Sequence, residues 1–290
     1  MSFQKRLASG EFVVLAEMNT PKGVDISQLI TNARRIKGRV DAVVVPDMDN
    51  GVMRMSALAG GVLMQQQGIE AVIHLYGRDR NRMALQGDVL AAHVLGIQNL
   101  VVVHSEPMAN GDHRDAKTVD DLDEVGLIEA IQSLQQGKDL AGFDLEGAPE
   151  FITGCTLSAY ADGAQMAAEL EHAEKKIRAG ARFVVTPPVF DVDRFGDFLG
   201  PAKALGVPVI ATIFLIKSVG IARYMALNEP GAHISEALIQ RIRKASDRET
   251  ECLKIAGETI AALKGKVAGV KIETHGWEHR LASILDYAGM

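Results

Sequence analysis

Ten side chains of this sequence could carry chemistry by type and position: Glu17, Asp47, His74, His104 with Glu106, Tyr160, Thr186, Lys217, and Glu273 with His275. Each stands at or just past the C-terminal end of an apolar, mostly β-branched run. The sharpest case is Asn99-Leu100-Val101-Val102-Val103, which stops at His104-Ser105-Glu106-Pro107. A continuous apolar run reads as a buried parallel strand. The residues beyond its C-terminal end are where α/β folds display their chemistry. Carboxylates and imidazoles gathered at one rim suit proton transfer and the stabilisation of developing charge.

Metal binding is the rival reading, since His74, His104, Glu106, Glu273 and His275 could supply nitrogen and oxygen ligands. His275-Gly276-Trp277-Glu278-His279 even fits the H-x-x-E-H spacing of some metallopeptidases. That motif needs both histidines on one helix face, four residues apart. Here His275 directly follows a strand and Gly276 disfavours an early helical turn. In extended chain His104 and Glu106 flank Ser105, so no metal is expected. A serine nucleophile has no support, because G-x-S-x-G is absent.

The elements that must position these groups alternate strictly. Strands are predicted at 12–18, 41–47, 71–76, 99–103, 151–157, 181–186, 207–214 and 268–274. Between and after them, helical spacing or composition predicts helices over 26–36, 56–67, 81–95, 121–136, 164–179, 192–205, 218–226, 234–263 and 278–287. Asp25 is expected to cap the first of these. The acidic run 120–124 reads as a solvated helix start favoured by the macrodipole. Pro187-Pro188 is expected to close strand six. Strict βα alternation implies a parallel sheet. Eight units over residues 1–290, without a linker or composition break, predict one (β/α)₈ barrel domain. An open doubly wound sheet would normally show a glycine-rich loop after strand one, and Glu17-Met18-Asn19-Thr20-Pro21 has none.

With 290 residues and 47% apolar content, the chain can bury a sizeable core, and its net charge of −6 argues against nucleic acid as a partner. No apolar run reaches the length of a membrane span, and the first residues, Met1-Ser2-Phe3-Gln4-Lys5-Arg6, lack the apolar core of a signal peptide. Cys155 and Cys252 have no metal or redox spacing around them and read as buried free thiols. A cytoplasmic location is the expectation.

Local words go further than composition. Arg54-Met55-Ser56-Ala57-Leu58-Ala59, Gly68-Ile69-Glu70, Gly77-Arg78-Asp79-Arg80-Asn81 and Leu85-Gln86-Gly87-Asp88 are four of them. Ala91-Ala92-His93-Val94-Leu95-Gly96-Ile97, Lys176-Ile177-Arg178-Ala179-Gly180-Ala181, Thr186-Pro187-Pro188-Val189-Phe190-Asp191 and Asn228-Glu229-Pro230-Gly231 continue in register. Together they resemble the methylenetetrahydrofolate reductase family over about residues 11–287.

The resemblance implies a flavin-carrying (β/α)₈ barrel that reduces 5,10-methylenetetrahydrofolate to its methyl form. FAD is the default cofactor and FMN the alternative, with electrons from NAD(P)H or a partner redox protein. Glu17 takes the place of the family's catalytic glutamate, a general acid at the pterin. Glu106 replaces the aspartate of a Gly-Asp-Pro turn and keeps its charge. His74, His104, Ser105 and Tyr160 fall at flavin-side positions, and Thr186, Lys217 and Trp277 at the folate side. The family's Thr-Gln pair reads Thr186-Pro187 here, its phosphate-side arginine reads His104, and its Gly-Arg pair reads Gly276-Trp277. These departures keep a second reading open: a non-redox pterin-binding barrel for methyl transfer, or an accessory subunit of a one-carbon complex. The expected partners are a tetrahydrofolate derivative and a second copy in a homo-oligomer.

Overall fold

Eight short strands run parallel in sequence order and close on themselves. They are β1 (Val13–Glu17), β2 (Ala42–Val45), β3 (Glu70–Leu75), β4 (Asn99–Val102), β5 (Ile152–Thr156), β6 (Phe183–Pro188), β7 (Val209–Phe214) and β8 (Gly269–Glu273). The last strand returns beside the first, with Leu15 paired to Lys271. The computed structural model describes residues 1–157, 163–229 and 231–290. The (β/α)₈ barrel predicted from the alternation is therefore the fold.

Helices α1 (Phe3–Ala8), α2 (Ser27–Ile36), α3 (Ala57–Gln66), α4 (Arg82–Val94), α5 (Glu124–Gln135) and α6 (Gly163–Ala179) accompany the first half. The second half carries α7 (Val192–Ala204), α8 (Val219–Asn228), α9 (Glu236–Lys244), α10 (Arg248–Leu263) and α11 (Leu281–Tyr287). Side chains alternate across each strand, so one set faces the helices and the other fills the barrel. The outward set builds the larger core, with Val43, Ile73, Leu100, Val184 and Ile272 buried against the helices. The inward set is a separate core of Val13, Leu15, Val44, Val72, Val101, Phe183 and Ile210.

The six-residue α1 escapes the sequence patterns, yet it closes the bottom of the barrel. Phe3 is fully buried there and meets Phe183 edge-on at 5.7 Å between ring centres. Room for the Phe183 ring comes from Gly154 on the neighbouring strand, where a Cβ would lie 2.4 Å from the ring. The opposite, C-terminal end is left open for chemistry.

Several predicted elements change in detail. The helix predicted over 234–263 is two, because Asp247 caps α10 and accepts from Thr250 N. Ile26, not Asp25, is the N-cap of α2; Asp25 Oδ1 instead accepts from Ser27 N at 2.9 Å. Pro187 and Pro188 close β6 as expected but count as its last two residues, where a register shift between Val185 and Pro188 removes the need for their missing N–H groups. The acidic run 120–124 is not a uniformly solvated helix start. Asp123 caps α5, Asp121 pairs with Arg82, and the Glu124 side chain turns inward. Cys155 and Cys252 are buried free thiols, with burial pushing them up to about 12 and about 11.

Candidate active site

Alternation along the strands decides which side chains reach the open end of the barrel. Glu17 ends β1, His74 lies on β3, Thr212 and Phe214 on β7, and Lys271 and Glu273 on β8, all at inward positions. They surround a cavity of about 390 Å³, within the size range of small-molecule sites. Asp49, Tyr76, Glu106, Thr186, Glu229 and His275 add the upper wall from the strand ends and loops.

Glu17 and Glu273 are joined by a single ammonium. Lys271 Nζ donates to Glu17 Oε2 at 2.9 Å and pairs with Glu273 Oε1 at 2.5 Å. His275 Nε2 lies 3.5 Å from Glu273 Oε2. Burial raises Glu17 from the usual 4.5 to about 7; Lys271 opposes this, and the charges of Glu273 and Asp49 add to it. Burial acts in the same direction on Glu273, but Lys271 and His275 outweigh it and hold that carboxyl down at about 2. Burial would likewise discharge Lys271, but the two carboxylates keep it charged, above its ordinary range. Among the described residues, Glu17, Glu273 and His275 offer donor atoms within 4.8 Å of one another, close enough for a metal ion. The lysine ammonium already lies between the two carboxylates as their counter-charge. His275 and His279 do not share a helix, since a single 3₁₀ turn spans Glu278–Arg280.

His74 is buried, and burial followed by the nearby Lys271 charge drives it down to about 3, so its ring is neutral. Its Nδ1 has no hydrogen-bond partner among the described residues, nor does the buried Thr212 Oγ1 on the facing wall. Buried polar atoms of this kind are uncommon and costly unless a bound molecule meets them. Leu157, Val185, Phe190, Phe214 and Met225 supply apolar wall beside them.

The predicted site residues divide. Glu17, His74, His104, Glu106 and Thr186 all line the cavity. Glu106 is raised by partial burial and then by the charges of Asp49 and Glu229. His104 faces two ways: Nδ1 lies 2.8 Å from Glu124 Oε1, and that hydrogen bond raises the imidazole. Glu124 also holds the fully buried Lys176 at 2.8 Å. Asp47 points away from the cavity; it accepts from Ala57 N at 2.9 Å and pairs with Arg80 at 2.6 Å, holding α3 in place. Ser105 does not line the cavity. Lys217 and Trp277 stand farther out on the rim, the ammonium 5.8 Å from the indole centre and 2.6 Å from the carbonyl of His275. Tyr160 lies outside the described residues.

The family model for methylenetetrahydrofolate reductase matches residues 2–274. The chain belongs to that family. Methylenetetrahydrofolate reductase 2 of Schizosaccharomyces pombe (strain 972 / ATCC 24843) is 23% identical in an alignment 243 residues long that covers 79% of this chain and 37% of that protein. The chain thus spans little more than a third of that relative's length. Among solved structures, 2,3-dimethylmalate lyase, of the PEP mutase/isocitrate lyase superfamily, superposes with TM-score 0.55 at 10% identity, covering 98% of this chain and 82% of that one. EDTA monooxygenase from Chelativorans sp. BNC1 gives 0.56 at 8% identity, covering 96% and 94%. Phosphonopyruvate hydrolase gives 0.54 at 13%, covering 99% and 85%. At such identities these likenesses show the barrel alone.

For this member of the methylenetetrahydrofolate reductase family, the mouth contains residues that sequence reasoning passed over. Lys271 sits inside an apolar strand, and its neighbours in sequence signal only strand. The available signal was parity: Lys271 and Glu273 are two apart and must share a face. Asp49 lay two residues beyond the strand-end Asp47 and carried no pattern of its own. A 3₁₀ turn at Asp49–Gly51, entered through Met48 in the left-handed region, brings it inward.

Proposed function

We propose that this chain reduces the one-carbon bridge of 5,10-methylenetetrahydrofolate to a methyl group, with Glu17 as the general acid at the pterin. The observation that carries this reading is Glu17 itself, a buried carboxyl at the barrel mouth raised to about 7. A carboxyl that keeps its proton near neutrality can protonate the ring nitrogen whose departure opens the bridged five-membered ring. Ring opening leaves a cationic iminium. Asp49, Glu106 and Glu229 stand around the mouth, and carboxylates there favour that charge over the neutral ground state. Glu106 is one methylene longer than the family's aspartate, and its backbone carbonyl is fixed by Arg78 at 3.0 Å.

The residues present suit a flavin ring. Its polar edge needs hydrogen-bonding partners, and His74 Nδ1 and Thr212 Oγ1, which have none among the described residues, belong to residues lining the cavity. Its flat faces need apolar contact, which Leu157, Val185 and Phe214 offer. FAD is the family's default, with FMN the alternative. When bound, the flavin supplies the hydride that the substrate carbon accepts. Thr186-Pro187 and Trp277 replace a glutamine and an arginine on the folate side, so substrate is held differently. Lys217 beside Trp277 gives the rim a cation and an aromatic face, suited to the carboxylate and ring of the folate tail.

The test is assay of purified protein with methylenetetrahydrofolate and either NAD(P)H or a reduced redox protein. Formation of 5-methyltetrahydrofolate, together with flavin absorbance in the loaded protein, supports the reading. Tight folate binding with no flavin uptake and no reduction refutes it and favours methyl transfer or an accessory role.

A further inference from the structure

Lys271 is a charged side chain built into the middle of a barrel strand, 7% exposed, between Gly269 and Glu273. An ammonium is costly to bury unless its partners repay the lost hydration. Here both partners are carboxylates at the mouth. Glu17 uses only one oxygen, Oε2, to accept from Lys271. Among the described residues no hydrogen bond reaches its other oxygen, Oε1, and Glu17 lines the cavity.

We infer that Lys271 is the positioning residue for Glu17: it occupies Oε2 from the barrel interior and so leaves the acid proton on Oε1, toward the cavity. Glu273 anchors the ammonium from the other side, and His275 in turn orients Glu273. His275 adopts φ 44° and Gly276 follows at φ 97°, a left-handed pair that folds the imidazole back over the mouth. The ring lands 4.9 Å from that of Phe214. The acid role of Glu17 rests on the proposed function above, whereas the clamp itself does not.

The arrangement makes opposite demands on Glu17. Charged and titratable groups line the cavity around it from three directions: Lys271, Glu273 and His275 from β8 and its loop, His74 from β3 with Tyr76 just past it, and Asp49 from the loop after β2. Lys271 favours the carboxylate, whereas burial, Glu273 and Asp49 favour the protonated acid. Removing Lys271 must therefore move the titration of Glu17 upward. Removing the charge of Glu273 must move it downward, because the ammonium then serves one carboxylate instead of two.

Infrared titration of the protonated-carboxyl band, assigned to Glu17 by its loss in Glu17→Gln, reads this without any turnover. The clamp predicts a midpoint near that of Glu17 in the unaltered protein, raised by at least about one unit in Lys271→Met and lowered by at least about one in Glu273→Gln. Shifts in the same direction, or no shift in either variant, overturn it. If Lys271→Met does not fold, Glu273→Gln decides alone: a fall supports the clamp, and no change or a rise refutes it. At a pH where Glu17 is protonated in both forms, Lys271→Met lowers kcat about 10–100-fold with KM little changed, as expected for a misaimed group. Equal loss in KM, with kcat intact, contradicts positioning. Bands that move as stated in a protein that reduces no folate refute the proposed function and leave the clamp standing. Unmoved bands refute the clamp whatever the activity.

Discussion

Arg78 and Glu106 are joined through the backbone: Nη1 of the buried guanidinium donates to the carbonyl oxygen of Glu106 at 3.0 Å. The same side chain donates to the Met48 carbonyl at 3.1 Å and forms a two-pronged pair with Asp79 at 2.7 and 2.8 Å. Its charge also lies 5.4 Å from the centre of the Tyr76 ring. One planar cation thus ties together the loops that follow β2, β3 and β4. These loops deliver Asp49 and Glu106 to the mouth.

Arg78→Ala leaves two carbonyls and a carboxylate without their donor. The expected loss is about 2–4 kcal/mol of stability, read as a lower denaturation midpoint. Arg78→Lys restores the charge but not the fork, so it recovers only part of that loss. Full recovery by lysine would show that charge alone matters here.

With Glu17 as the proposed general acid, its protonation sets the expected pH dependence of activity. A general acid works only while protonated, so kcat/KM is expected to fall as pH rises through about 7. A profile flat from pH 6 to 8.5 would contradict the assignment.

Stability follows the same group by linkage. Glu17 binds its proton more tightly folded than unfolded, so its contribution is fully present below the ordinary 4.5 and is lost as pH rises to about 7. Glu273, held low, works in the opposite sense, and its contribution is lost only as pH falls from 4.5 toward about 2. Between pH 5 and 7.5 the unaltered protein should therefore lose on the order of 2–3 kcal/mol relative to Glu17→Gln. Denaturant midpoints measured across that range check the sign.

Glu124 is a structural support beneath His104. It compensates Lys176, a side chain with no exposure, whose Nζ also donates to the Thr156 carbonyl at 2.7 Å. Glu124→Ala strands that charge and should cost about 3–5 kcal/mol, whereas Glu124→Gln, which keeps an acceptor, should cost less. Thermal melts of the two variants separate charge from hydrogen bonding.

The barrel was legible because its strands are short apolar runs that end in polar residues, a pattern that depends only on neighbours in sequence. The six residues of α1 were too few to show a period, although Phe3 and Leu7 both face the core. At the mouth, Glu17, His74 and Glu106 could be placed because strand ends in a barrel converge. Which acid turns inward could not be read: Asp47 holds α3 while Asp49 faces the cavity, and a left-handed turn at Met48 makes the difference. The role of Lys271 depends on barrel closure, which brings β8 beside β1 and so joins residues 254 positions apart.

The most direct test compares the unaltered protein with Glu17→Gln for formation of 5-methyltetrahydrofolate from 5,10-methylenetetrahydrofolate near pH 7, with reduction of the proposed flavin by NAD(P)H or a reduced redox protein followed separately. The account predicts steady product from the unaltered protein and a loss of roughly 10²–10⁴-fold in the variant, with flavin reduction intact. Product formed equally fast by Glu17→Gln, or loss of flavin reduction along with folate turnover, would contradict it.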